Sequence, residues 1–155
     1  CEEADIDFHA RYSCTSKEYI YKIWNTEVRN PFLDGYALHY RYKLDEDMLN
    51  SAAQAYVGTH DFTSFCTLDS REKGDMTRTV KAFSVTREGN LVTMKVEADG
   101  FLYNMVRIMV GTLLRIQQGK IPVDGIAGII EKKDRKFAGP TAQPCGLYLN
   151  RVNYD

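Results

Sequence analysis

The stretch "GFLYNMVRIMVGTLLRIQQGK", residues 100–120, is apolar almost all the way round a helix. At about 100° per residue, Leu102, Met105, Val106, Met109 and Leu113 form one broad stripe, and Ile108, Val110 and Ile116 widen it. A helix with so little polar surface has to be enclosed by the rest of its fold. Arg107 and Arg115 interrupt it, so it is not a membrane span. Asn104, Arg107, Gly111 and Arg115 share the remaining side, spaced three, four and four. Two readings of that stripe stay open. It is a solvated face, or it faces a partner or ligand, the reading favoured by Gly111. A glycine inside a helix costs roughly 1 kcal/mol relative to alanine and is best tolerated where something packs against the backbone.

The rest of the chain supplies a sheet to cover this helix. Alternation in "YIYKIWNTEV" (19–28) predicts a strand, "NPFLDG" a turn, and "YALHYRYKL" (36–44) a second strand. "DEDMLNSAAQAYVG" (45–58) has an acidic first turn, Met48, Ala52 and Ala55/Tyr56 on one face, and a closing glycine, which predicts a helix. "THDFTSFCTLDSREKGD" reads as a long loop with a short ordered piece around Phe62 and Phe65. Residues 77–100 predict a hairpin turning at "REGN", residues 122–134 a shorter helix, and 146–154 a final strand. The order β, β, α, β, β, α, α, β predicts one α+β domain over 1–155, with a largely antiparallel sheet and helices packed on one face.

Composition removes several function classes. With 44% hydrophobic and 26% charged residues the chain belongs with ordinary globular proteins, and the absence of a long apolar span or N-terminal signal predicts a cytoplasmic one. Lys+Arg 20 against Asp+Glu 21 gives a net charge of -1, so any attraction for nucleic acid must come from a local patch. Cys1, Cys14, Cys66 and Cys145 form no CxxC pair and have no histidine at ligand spacing, which predicts no metal site and reduced, packing thiols. Asp61 and Asp99 read as turn or cap residues, and "KKDRK" (132–136) as a solvated helix end.

Five segments in register carry a resemblance. "FHARYSCTSKEYIYKI", "HDFTSF", "TRTV", "ADGFLYNMVRIMVGTLL" and "AGPTAQPCGLYLNRVNY" resemble, over nearly the whole chain, the C-terminal half of the tRNA pseudouridine synthase A family. The resemblance implies an isomerase that converts uridine to pseudouridine at positions 38–40 of the tRNA anticodon stem-loop, without cofactor or metal, as a homodimer. It implies that Arg107 is the counter-ion of the catalytic aspartate, that Tyr19 stacks on the target base, and that Leu147 is an apolar residue of the substrate pocket. The family's aspartate lies in an "RTDAG" segment, which these residues do not contain, so the chain reads as a fragment and is expected to be inactive alone. His9 fits the family pattern and receives no catalytic role. The alternative is a noncatalytic RNA-binding or dimerisation module of similar architecture.

Overall fold

A computed structural model describes residues 5–10, 12–67 and 74–154. Among them, six strands form one sheet. Strand β1 (Cys14–Asn25) is its spine, long enough at 12 residues to be paired on both sides. The hairpin of β4 (Thr77–Glu88) and β5 (Leu91–Ala98) lies antiparallel along one side, Tyr21 facing Met94 and Ile23 facing Val92. Along the other side, β6 (Leu147–Tyr154) pairs antiparallel with the first part of β1, and the short β2 (Leu38–Tyr40) pairs parallel with its end.

Two strand expectations are corrected by the fold. The predicted strand 36–44 is ordered as a strand only over 38–40, because Asn25 takes over beyond it. Its side chain donates to the carbonyls of Tyr40 and Tyr42 and accepts from the N–H of Leu44, replacing a ladder with a side-chain bridge. Where the predicted helix 45–58 ends and the predicted 59–75 loop begins, β3 (Gly58–Asp61) pairs antiparallel with β4. "GTHD" carries no strand-like alternation, so only the free edge of β4 makes it one. The ordered piece after it is the single 3-10 turn Thr63–Phe65, with Phe62 and Phe65 both fully buried. Residues 68–73 of that loop, and Cys1, lie outside the described residues.

The helices are α1 (Glu46–Ala53), α2 (Met105–Gln117) and α3 (Gly125–Lys132). Alternation puts Tyr21 and Ile23 of β1, Phe83 and Val85 of β4, and Val92, Met94, Val96 and Ala98 of β5 on the sheet face that the helices cover. Ile108, Met109, Val110 and Leu113 of α2 are 0% exposed at the middle of that layer, as an apolar-all-round helix requires. At about 25 cal/mol per Å2 of apolar surface, each such side chain contributes roughly 1.5–3 kcal/mol. No helix among the described residues is long and apolar enough to cross a membrane.

Candidate functional site

Gly111 decides how α2 is placed. A Cβ there would overlap the carbonyl oxygen of Pro140, and one on Gly139 would come within 2.5 Å of the Gly111 carbonyl. The backbone of the 138–146 segment therefore crosses α2 in direct contact, which no larger residue permits at either point. The stripe reading is corrected in two ways. Gly111 is buried against its own chain, so its neighbour is neither solvent nor a partner, while Arg115 at the end of the helix is partly exposed and its guanidinium donates to Gln118.

The crossing segment is held from four directions. Thr112 Oγ1 donates to the Ile108 carbonyl and accepts from the N–H of Gly139 (2.8 and 2.9 Å). Arg135 donates to the carbonyl of Gly139 and to Thr141 Oγ1, and burial pushes its pKa down. The solvated reading of "KKDRK" holds for Lys132, Lys133 and Lys136, which are exposed at and beyond the end of α3, and is corrected only at Arg135, which turns inward. The Tyr21 hydroxyl donates to the Gln143 carbonyl at 2.6 Å. Burial pushes that phenol well above its ordinary value, Cys145 adding to the rise and Arg107 opposing it. The fourth hold is the N–H of Ala142, which donates to the main-chain carbonyl of Arg107 at 3.0 Å.

This brings Arg107 to the rim of a cavity of about 380 Å3, lined by Tyr19, Phe101, Leu102, Asn104, Arg107, Pro144 and Leu147 among others. Three residues singled out in the sequence, from β1, α2 and the start of β6, thus share one hollow. Tyr19 stands edge-on to Phe101, ring centroids 5.0 Å apart at 85°. It is half-buried, and that burial raises its phenol pKa. Leu147 is partly buried and packs against the main core.

Arg107 is partly buried, and its Nε donates to the Ala142 carbonyl at 2.7 Å while Nη1 donates to Asn104 Oδ1 at 3.0 Å. Among the described residues no carboxylate pairs with it, although Arg29, Arg87, Lys95 and Lys133 all have acidic partners. A guanidinium presents five N–H donors, so two neutral acceptors leave it well placed to take an anion with its remaining fork. Asp61 and Asp99 do not approach it. Asp61 closes its own turn on the N–H and hydroxyl of Thr63 and pairs with Lys133, and Asp99 accepts from the N–H of Thr79.

A larger hollow of about 600 Å3 lies beside Gln143 and Cys145, lined by Arg29, Asp34 and His39. Its groups are occupied: Arg29 is paired with Asp34 at 2.7 Å, and His39 Nε2 bonds the Thr26 carbonyl. The 380 Å3 cavity differs in holding an arginine with no carboxylate partner among the described residues beside a half-buried aromatic. Asn104 was visible on the polar stripe, but nothing in the sequence assigned it a role. An asparagine one turn before an arginine at a helix start is the signal that would have found it.

The family model for tRNA pseudouridine synthases matches residues 52–155. Over 154 residues the chain is 46% identical to the tRNA pseudouridine synthase A of Geobacillus sp. (strain WCH70), covering 99% of this chain and 62% of that protein. It is 44% identical to the protein of that name from Shewanella frigidimarina (strain NCIMB 400), covering 99% of this chain and 58% of the relative. With the one from Acetivibrio thermocellus it shares 44% identity over 153 residues, 99% of this chain and 62% of that protein. The chain spans about three fifths of the length of these curated relatives.

Proposed function

Because this chain belongs to the tRNA pseudouridine synthase family, we propose that it forms the base-holding part of an enzyme that isomerises uridine to pseudouridine at positions 38–40 of the tRNA anticodon stem-loop. The convergence of Tyr19, Arg107 and Leu147 on one cavity carries the reading. The reaction breaks the bond between ribose and the uracil nitrogen, turns the base and rejoins it through carbon. The uridine must first leave its stack and enter a pocket. Tyr19 offers it a flat ring, a contact worth roughly 1–3 kcal/mol and indifferent to the bases on either side. Leu147 closes the apolar side of the pocket.

Arg107 then pairs with the catalytic aspartate. A nearby opposite charge lowers a carboxyl pKa, so the pairing keeps the acid ionised at neutral pH. That aspartate comes from a segment outside these 155 residues, none of which form an "RTD" motif. The same reading makes the natural protein a cytoplasmic homodimer that needs neither cofactor nor metal. The noncatalytic-module alternative is separated by one assay. Mass-spectrometric detection of pseudouridine in an unmodified anticodon stem-loop is expected with the natural full-length protein and not with this chain alone. Turnover by the 155-residue chain would overturn the roles of Tyr19, Arg107 and Leu147, and a full-length protein that binds the stem-loop without converting it would favour the module.

A further inference from the structure

Asn104 sits at the N-terminal boundary of α2 with φ 62 and ψ 8, the left-handed region, and its side chain gives no cap hydrogen bond to the helix. Few residues other than glycine adopt that conformation, and an asparagine that does so ordinarily bonds its own backbone locally, while one at a helix boundary ordinarily accepts from an N–H of the first turn. In α2 both ends of the amide are engaged elsewhere. Oδ1 accepts from Arg107 Nη1 at 3.0 Å, and Nδ2 donates to Thr67 Oγ1 at 3.2 Å. The orientation of the amide is dictated by chemistry, since a guanidinium only donates and must face the oxygen. Thr67 is itself tied to the same turn, its N–H donating to the Tyr103 carbonyl at 3.2 Å.

We infer that Asn104 is a positioning residue for Arg107. With Nε held by the Ala142 carbonyl and one N–H of Nη1 held by Asn104, two points fix the plane of the guanidinium. Nη2 and the second N–H of Nη1 remain as an end-on pair, the geometry that receives both oxygens of a carboxylate. The left-handed backbone brings the amide to this place, because in a capping conformation it would turn back onto the helix instead. The inference rests on the proposed reading of Arg107 as the partner of a catalytic carboxylate, and goes beyond it by naming what holds the arginine in register.

The test measures kcat and KM for pseudouridine formation by the natural full-length protein on an unmodified anticodon stem-loop, with melting temperatures in parallel. Asn104→Gly accepts the backbone conformation and removes only the amide. It is expected to lower kcat about 10- to 100-fold, the scale of a misplaced catalytic group, with KM within about threefold and no loss of melting temperature. Asn104→Asp gives Arg107 an internal carboxylate that competes for it, so its loss should be at least as large while the fold is kept. Thr67→Val should cost less, and Thr67→Ser should restore the normal rate because its hydroxyl still accepts from the amide. A normal kcat in Asn104→Gly beside a crippled Arg107→Ala would overturn the positioning role and leave the proposed function standing. A normal rate in Arg107→Ala would overturn both. A loss confined to KM, or one matched by a fall in melting temperature, would also overturn it, since positioning acts on the chemical step.

Discussion

At the start of α1, Asp45 has extended backbone and its carboxylate accepts from the N–H of Met48, with Glu46 and Asp47 completing an acidic first turn. At the start of α2, Asn104 has left-handed backbone, caps nothing, and is followed by an arginine in the first turn. The first arrangement satisfies an orphan donor and places negative charge at the positive end of the helix dipole. The second does the reverse on both counts, since a cation near a helix N-terminus is disfavoured. Local physics alone explains α1. At α2 the local rules are broken where the cavity lies, and on the proposed reading a site rather than stability selects those residues. The two termini also differ in their ion pairs. Arg87 Nε meets Glu46 at 2.8 Å beside α1, whereas among the described residues the Arg107 side chain meets neutral oxygens and no carboxylate.

The largest effect should come from breaking the α2 terminus by function. Arg107→Ala in the natural full-length protein is expected to lower the rate of pseudouridine formation by about 10²–10³-fold, the usual scale for a lost preorganised donor, with little change in thermal stability. Arg115→Ala, two turns on with its side chain bonded to Gln118, is the matched control and should stay near normal. Equal and mild effects in a side-by-side assay would make the two ends of α2 alike and withdraw the role of Arg107.

Next in size is Gly111→Ala, which tests the crossing that holds Arg107 in place. The added methyl meets backbone rather than a movable side chain, so overpacking should cost about 3 kcal/mol or more, read as a fall in denaturation midpoint. A neutral outcome would mean that the 138–146 segment is free to move away from α2.

The smallest effect belongs to α1. Asp45→Ala should cost about 1 kcal/mol of stability, the typical value of an N-cap, and leave catalysis unchanged. The same terminus should weaken in acid: the hydrogen bond from Arg87 holds Glu46 below the usual carboxylate range. A carboxylate whose pKa is lowered by folding contributes stability above its unfolded value and loses it as pH falls through the folded one. Urea midpoints across that acid range, for the chain with and without Glu46→Gln, would show the difference. A catalytic defect in Asp45→Ala would erase the contrast between the two helices.

What the sequence determined by itself are the features carried by neighbours in the chain. The β4–β5 hairpin, the sheet face built from Tyr21, Ile23, Met94 and Val96, and the burial of α2 all follow from periods of 2 and 3.6 that residues impose on their own surroundings. The resemblance, resting on ordered motifs, was legible in the same way, and it marked Tyr19, Arg107 and Leu147. Tertiary structure decided everything whose cause lies far along the chain. β3 exists because β4 has an open edge, and β2 stops short because Asn25 captures the carbonyls beyond it. Gly111 is empty because Pro140 lies against it, and Arg107 is held by Ala142, a residue of another segment. Periodicity could place Arg107 on a polar stripe but could not say what the stripe faces, because a helix's own pattern records only which side is apolar. The identity of the neighbour is fixed by chain crossings, and these depend on contacts between residues that no local spacing connects.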